Sequence, residues 1–208
     1  MAVDYTLYLV TDRGILGDRD LFTAVEEALK GGVTMLQLRE KTASSRDFYQ
    51  LAVRMKELAA AYQVPLIIDD RLDIALAADA GGLHVGQDDL PVAVARRILG
   101  PGKILGYSVS TVEEAIYGEQ NGADYLGAGP VYATGSKADA GSPIGIDGLR
   151  QIKQSVAIPV VGIGGLGEAN ILDVKRTGVD GASVISAIMG SRDLKRAAGA
   201  LIAAWRQS

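Results

Sequence analysis

The sequence of 208 residues contains no cysteine and only one histidine, His84. Without cysteine the chain can form no disulfide, thiolate nucleophile, iron–sulfur cluster or cysteine-ligated zinc site. A zinc site built on several histidines is also excluded, and a Ser-His-Asp triad would depend on His84 alone. Because His84 lies within an apolar strand candidate, we expect it to be a hydrogen-bonded structural residue. Any catalysis must therefore use carboxylates, lysine, arginine, hydroxyl groups, backbone amides or a hard metal ion such as Mg²⁺.

Basic runs and long apolar runs are also missing. The 21 Lys and Arg residues are outnumbered by 25 Asp and Glu residues, and the net charge of −4 lacks the basic footprint of a nucleic-acid-binding protein. No stretch reaches the 18 apolar residues of a membrane-spanning helix, and the first apolar run, residues 5–10, is too short for a signal peptide. We therefore expect a cytoplasmic protein that binds neither nucleic acid nor membrane. The pattern carries no signal for an oligomeric state.

Short β-rich runs alternate with longer helical stretches along the chain. The strand candidates are residues 6–12, 34–40, 65–70, 82–87, 103–109, 125–131, 159–165 and 181–188. The clearest helical stretches are residues 21–30, 46–61, 112–121, 147–156 and 193–206. Asp147 and Ser191 are expected as helix N-caps. Many strands are near-continuous apolar runs, which is typical of parallel strands that are buried on both faces.

Eight βα units in 208 residues give 26 residues per unit. This repeat predicts an α/β fold, a (β/α)₈ TIM barrel with parallel strands, as one domain over residues 1–208. An open doubly wound sheet is the alternative, but Gly14 and Gly17 do not form the glycine fingerprint of a Rossmann fold. Residues 129–148 are too long and too Gly-rich for a plain βα turn. We expect residues 132–146 to form a mobile loop over the active face.

Two acid pairs follow neighbouring strands of the predicted barrel. Asp69 and Asp70 end the third strand, and Asp88 and Asp89 follow the fourth. Active sites of such barrels lie at the C-terminal ends of the strands, and adjacent strands are about 5 Å apart. One carboxylate from each pair can therefore share a cation. The sequence leaves open which member of each pair would contact it.

Basic side chains come to the same end of the predicted barrel. Arg39 and Lys41 follow the second strand, and Lys137 lies in the Gly-rich loop. Mg²⁺ commonly takes one or two carboxylates together with phosphate oxygens and water. Cationic side chains would neutralise the remaining phosphate charge. The pattern therefore indicates a site for a Mg²⁺-bound diphosphate.

A second anion site is predicted after the last two strands. Residues 161–165 and 184–186 end strands seven and eight, where barrels often hold a phosphate group on backbone N–H groups. The hydroxyl groups of Thr134 and Ser136 could add donors. Two phosphorylated substrates side by side would suit group transfer with diphosphate as the leaving group.

Seven segments together resemble the thiamin phosphate synthase family. In chain order they are QLREK (37–41), IIDDRLDIALA (67–77), GLHVGQDDLP (82–91), GYSVST (106–111), ADYLGAGPVYATGSKADA (123–140), IPVVGIGG (158–165) and GVDGASVISAI (178–188). The resemblance covers nearly the whole chain. It implies a (β/α)₈ barrel that joins a hydroxymethylpyrimidine diphosphate to a thiazole phosphate. The products would be thiamin phosphate and diphosphate, with Mg²⁺ as the cofactor.

The resemblance also implies residue roles. It assigns the pyrimidine diphosphate to Gln37, Leu38, Arg39, Glu40, Lys41, Asp69, Ser108 and Lys137, with Arg39, Lys41, Ser108 and Lys137 as the catalytic set. Mg²⁺ would be held by Asp70 and Asp89. The thiazole phosphate, or its carboxylated form, would contact Thr134, Gly135, Ser136, Gly165, Ile185 and Ser186. Asp69 departs from the family, which often has Asn there, and Ser136 replaces a common Thr.

The reaction that the resemblance implies is dissociative. An electron-rich aminopyrimidine can support a cation at its exocyclic CH₂ while diphosphate leaves, and the thiazole nitrogen then captures that cation. No protein nucleophile is needed. Three alternatives remain at this point. They are a thiazole tautomerase-like paralogue, which tends to lack the metal-binding acids, a Schiff-base aldolase using Lys41 or Lys137, and a non-catalytic sensor of phosphorylated ligands.

Overall fold

The structure, a computed structural model, describes residues 3–136 and 141–207. Its strands are β1 (Leu7–Val10), β2 (Met35–Leu38), β3 (Leu66–Asp69), β4 (Gly82–Val85), β5 (Ile104–Val109), β6 (Tyr125–Ala128), β7 (Val160–Ile163) and β8 (Gly181–Val184). Its longer helices are α2 (Leu21–Lys30), α3 (Ser45–Ala61), α5 (Val92–Leu99), α6 (Val112–Gln120), α7 (Gly145–Ser155) and α10 (Leu194–Arg206). Short helices complete the order: α1 (Arg13–Leu16), α4 (Leu72–Ala77), α8 (Ile171–Lys175) and α9 (Ser186–Met189).

The eight strands form a closed parallel barrel in sequence order, in which β1 pairs with both β2 and β8. This confirms the predicted (β/α)₈ fold. The strand predicted over residues 181–188 is too long, because β8 ends at Val184 and α9 begins at Ser186. There the Met189 N–H donates to the Ile185 carbonyl at 2.8 Å, which turns the chain into a helix.

Side chains inside the barrel form an apolar layer below and a polar layer above. The apolar layer consists of Tyr8, Met35, Ile67, Tyr125 and Val161. Successive side chains of a strand alternate between its two faces, so the residues two positions further along β2 and β3 also point inward. These residues are Gln37 and Asp69, both buried. The outward-facing residues of the strands pack against the helices in a second, larger core.

The helix starts differ from two predictions. Asp147 is not the N-cap of α7, because that helix begins at Gly145, with Ile144 before it and Asp147 in the first turn. Ser191 is not the N-cap of α10. The Asp193 carboxylate accepts a hydrogen bond of 2.9 Å from the Arg196 N–H, which satisfies a donor that the first helical turn leaves unpaired.

The predicted loop of residues 132–146 is described in part. Residues 137–140, which include Lys137, lie outside the described residues. The end of the predicted loop is already helical, because α7 starts at Gly145. Within the described ranges, no helix is long and apolar enough to cross a membrane.

We predict that Asp193→Ala lowers the free energy of unfolding by about 1 kcal/mol, because the first turn of α10 loses its capping carboxylate. Asp147→Ala is the matched control. We expect it to cost only about 0.3 kcal/mol, since the exposed Asp147 carboxylate acts through the helix dipole and a solvent-exposed ion pair with Arg150. Urea denaturation of both variants checks this. Equal losses would contradict the assignment of the caps.

Candidate active site

A cavity of about 630 Å³ opens at the C-terminal ends of the strands. Its walls come from the ends of β2 to β8 and from the segment after β6. A cavity of this size accommodates small-molecule ligands. The C-terminal face is also where characterised barrels of this type carry their active sites.

Most of the site residues predicted from the sequence line this cavity. They are Arg39, Lys41, Asp69, Asp70, Asp89, Ser108, Thr134, Ser136, Gly165, Ile185 and Ser186. In the described part of the chain, Gln37, Leu38, Glu40 and Gly135 are not among the lining residues. Leu38 is buried in the core between the barrel and the helices, because it faces outward from β2. Lys137 falls outside the described residues.

Two cations and two carboxylates form an ion-pair cluster on one side of the cavity. The Lys41 ammonium group is hydrogen-bonded to Asp70 and lies 3.5 Å from Asp69 Oδ2. Arg39 Nε lies 3.7 Å from the same Asp69 oxygen. Arg39 Nη1 is 2.8 Å from Asp12 Oδ2, a contact that no sequence motif predicts. We call Arg39, Lys41, Asp69 and Asp70 the charge cluster.

Opposing influences set the protonation of Lys41. Burial lowers its pKa, but the hydrogen bond to Asp70 and the charges of Asp69 and Asp70 outweigh burial, so the pKa is raised overall. Lys41 therefore remains a cation in the cluster. It is available to neutralise a phosphate group that enters the cavity.

The two predicted metal ligands face each other across neighbouring strands. Burial raises the pKa of Asp89, and the nearby Asp70 carboxylate raises it further, although a 2.7 Å hydrogen bond from the Gly86 N–H opposes the shift. Two carboxylates so close repel each other unless a cation lies near them. Asp70 also has a positive φ of 60°, and its N–H donates to the His84 carbonyl at 2.9 Å. Left-handed backbone at a non-glycine residue is costly and concentrates at functional sites.

The donor set fits Mg²⁺. Asp70 and Asp89 supply two carboxylates, and no group of three or more His, Cys, Asp or Glu side chains suited to a metal occurs in residues 3–136 and 141–207. Mg²⁺ usually takes only one or two carboxylates and completes its coordination with substrate phosphates and water. The arrangement therefore suits an ion that is carried together with a phosphorylated ligand.

Two buried polar atoms at the cavity have no hydrogen-bond partner among the described residues. They are Arg39 Nε and the hydroxyl oxygen of Ser183 on β8. A buried polar group without a partner is costly, so each is a donor that a ligand could satisfy. Ser183 could not be singled out from the sequence, because one serine in an apolar strand carries no motif.

The side of the cavity around β7 and β8 is shaped by a close contact between loops. Gly165 has a positive φ of 68°, and a Cβ atom there would lie 2.7 Å from Tyr132 Cβ. Glycine is therefore required by packing against the segment after β6, whether or not a ligand is bound. Thr134, Ser136, Gly165, Ile185 and Ser186 all line the cavity.

His84 lies at the floor of the cavity, and Gln37 lies beneath it. His84 lines the cavity and is hydrogen-bonded through both ring nitrogens, in agreement with the structural role expected for it. Gln37 is buried below, where its amide nitrogen donates to the Tyr8 hydroxyl at 2.7 Å. The side chain of Gln37 therefore reaches the cavity only through other residues.

Known proteins resemble this chain over nearly its full length. A family model described as thiamine monophosphate synthase matches residues 7–188. The thiamine-phosphate synthase of Desulfitobacterium hafniense is 61% identical over 206 residues, covering 99% of this chain and 100% of that protein. The Clostridium acetobutylicum thiamine-phosphate synthase is 53% identical and covers 93% of this chain and 91% of its own length.

A solved structure supports the same relationship. Thiamine phosphate pyrophosphorylase from Pyrococcus furiosus superimposes with a TM-score of 0.90 at 42% identity, covering 98% of this chain and 96% of that one. Sequence, fold and coverage therefore agree. The chain belongs to the thiamine monophosphate synthase family, a family of transferases in thiamine biosynthesis.

Proposed function

We propose that the cavity couples a hydroxymethylpyrimidine diphosphate with a thiazole phosphate, or its carboxylated form, and releases diphosphate. One observation carries the proposal: Arg39 and Lys41 contact the two carboxylates at the end of β3, Asp69 and Asp70, inside one cavity, and Asp89 from the neighbouring strand lies beside Asp70. Carboxylates alone would repel a diphosphate, and cations alone would bind any anion. Their combination selects a polyphosphate that brings a divalent cation with it.

The charge cluster would receive the diphosphate. Lys41 would leave its hydrogen bond to Asp70 for a phosphate oxygen, and Arg39 would offer the Nε–H that has no hydrogen-bond partner within the described residues. Asp12 would keep the Arg39 guanidinium group in place through its 2.8 Å contact. Ser108 and Lys137 would contribute further donors, as the resemblance implies.

Asp70 and Asp89 would hold Mg²⁺. When bound, the ion supplies positive charge to the diphosphate oxygens while the leaving group separates. With Lys41 bound to the diphosphate, the Asp70 carboxylate would exchange its contact with the lysine for one with the metal ion. Asp69, where the family often has Asn, is almost fully buried beside Arg39 and Lys41, so its charge serves to hold these two cations.

The thiazole phosphate would occupy the side of the cavity formed by the loops after β6, β7 and β8. Thr134 and Ser136 offer hydroxyl donors, and Gly135, Gly165, Ile185 and Ser186 offer backbone N–H groups. A phosphate there would place the thiazole ring toward the charge cluster. The two substrates would then share one cavity with their reacting atoms between the two phosphate sites.

The side chains would act by positioning and by excluding water. Carbon–oxygen bond cleavage leaves a cation on the pyrimidine CH₂, and the thiazole nitrogen supplies the electron pair for the new carbon–nitrogen bond. Cationic side chains stabilise the charge that develops on the departing diphosphate. Bound side by side, the substrates react as an intramolecular pair, which removes much of the entropic barrier.

A coupling assay on the purified protein tests the proposed function. Pyrimidine diphosphate and thiazole phosphate are mixed with protein and Mg²⁺ or with EDTA, and thiamin phosphate is read as fluorescent thiochrome after oxidation. We expect product with Mg²⁺ and a loss of product with EDTA. A folded protein that forms no product under either condition would refute the proposal.

One pair of variants distinguishes the roles of the two neighbouring acids after β4. We predict that Asp89→Asn lowers kcat by at least about 100-fold and raises the Mg²⁺ concentration needed for half-maximal rate, since it removes a metal ligand. Asp88→Asn is the matched control and should stay within about threefold of the parent protein. A larger loss of kcat in the Asp88 variant would indicate that Asp88, and not Asp89, is the metal ligand.

A further inference from the structure

Five side chains form a continuous chain of hydrogen bonds across the barrel beneath the cavity. The Gln37 amide nitrogen is 2.7 Å from the Tyr8 hydroxyl, which is 2.8 Å from the Tyr125 hydroxyl. The Tyr125 hydroxyl is 2.9 Å from His84 Nδ1, and His84 Nε2 is 2.9 Å from Ser108 Oγ. We call these five residues the buried chain. It links β2, β1, β6, β4 and β5, and it ends at the cavity.

The absence of a side chain at Gly106 leaves space for the buried chain. A Cβ atom on Gly106 would lie 2.2 Å from Tyr125 Cζ and 2.4 Å from His84 Nδ1. Gly106 pairs in register with both His84 and Tyr125 on the neighbouring strands. Any larger residue at this position would therefore force the two rings apart.

The chemistry of the groups gives the buried chain a direction. An amide nitrogen only donates, so the Tyr8 oxygen accepts from Gln37. Each phenol has one proton. If Tyr8 donates to Tyr125 and Tyr125 donates to His84 Nδ1, then the imidazole proton lies on Nε2 and is donated to Ser108. Every proton is then used.

The opposite direction leaves a proton unplaced. Tyr8 would accept from both Gln37 and Tyr125, and among the described residues its hydroxyl group has no third partner. A buried donor without an acceptor is unfavourable. Burial also raises the pKa of both phenols well above its usual value, so both protons remain on the chain.

We propose that Tyr8, Tyr125 and His84 are positioning residues that make Ser108 a hydrogen-bond donor toward the pyrimidine diphosphate. A serine hydroxyl has one proton. Because Ser108 Oγ accepts from His84 Nε2, its own proton points into the cavity, where an acceptor atom of the substrate takes it. This inference rests on the proposed function, since it assigns an orientation to a residue of that site.

The orientation matters for the reaction because a hydroxyl group can present either a proton or a lone pair. An acceptor facing a diphosphate oxygen would repel it, whereas a fixed donor stabilises it without reorganising during the reaction. The phenols and the imidazole keep their protons throughout. The buried chain thus holds a dipole in place and transfers no proton.

A double-mutant cycle tests the proposal. Tyr125→Phe removes one oxygen and interrupts the chain between Tyr8 and His84. Tyr5→Phe is the matched control, because its ring lies 5.3 Å from the Tyr125 ring but its hydroxyl is not part of the buried chain. Both changes are also combined with Ser108→Ala. Rates are measured with the coupling assay at varied pyrimidine diphosphate and at varied thiazole phosphate, and melting curves confirm folding.

We expect Tyr125→Phe to lower kcat/KM for the pyrimidine diphosphate at least about tenfold, with the KM for the thiazole phosphate unchanged. Tyr5→Phe should stay within about twofold. In the Ser108→Ala background the effect of Tyr125→Phe should disappear, since the hydroxyl group that it orients is gone. His84→Gln, which can keep an N–H toward Ser108, should retain more activity than His84→Ala.

Two results would overturn the proposal. One is a Tyr125→Phe variant as active as Tyr5→Phe. The other is a loss of the same size in the presence and absence of Ser108, which would indicate a merely structural role. Product formation by the parent protein distinguishes a failure of this inference from a failure of the proposed function. If the parent protein forms product but the effects of Tyr125→Phe and Ser108→Ala are additive, only the role of the buried chain is refuted. If the parent protein forms no product, the inference and the proposed function are both refuted.

Discussion

The balance of charge at the open end of the barrel is the constraint on which the site depends. Closing eight parallel strands brings the carboxylates after β3 and β4 so close together that burial and mutual repulsion raise the pKa of Asp89. Arg39 and Lys41, which follow β2, supply the compensating cations. Each ion pair of the charge cluster could be exchanged for a contact to a phosphate or a metal ion. That capacity for exchange is what the proposed reaction requires.

The two layers inside the barrel have different roles: the lower layer supports the structure, and the upper layer carries the polar groups of the cavity. Below, the inward-facing side chains are apolar apart from two phenols, and they fill the interior as in other barrels of this type. Above, the inward positions become polar and the cavity opens. Tyr8 and Tyr125 belong to both layers, because their rings pack in the lower layer while their hydroxyl groups enter the buried chain. A rigid apolar base thus fixes polar groups whose direction matters at the cavity floor.

Much of the fold could be predicted from the sequence, because buried parallel strands read as apolar runs and the eight units have similar lengths. The charged rim could also be predicted, since polar residues follow those runs at the end where such barrels carry their sites. The caps at Asp147 and Ser191 could not, because the competing carboxylate of Asp193 and the early start of α7 depend on local geometry. The buried chain depends on register across five strands and on closure of the barrel. From the sequence, His84 could be expected to be hydrogen-bonded, but its partners could not be named, and the role of Gly106 becomes visible once its neighbours are known.

We propose that the charge cluster and Asp89 together recognise diphosphate with Mg²⁺. Calorimetric titration of the protein with inorganic diphosphate, in the presence and in the absence of Mg²⁺, measures this directly. We expect binding to strengthen at least about tenfold when Mg²⁺ is present, because Asp70 and Asp89 would hold an ion whose positive charge offsets the negative charge of the diphosphate. Equal affinity under both conditions would contradict it, since the cations alone would then be sufficient to hold the ligand.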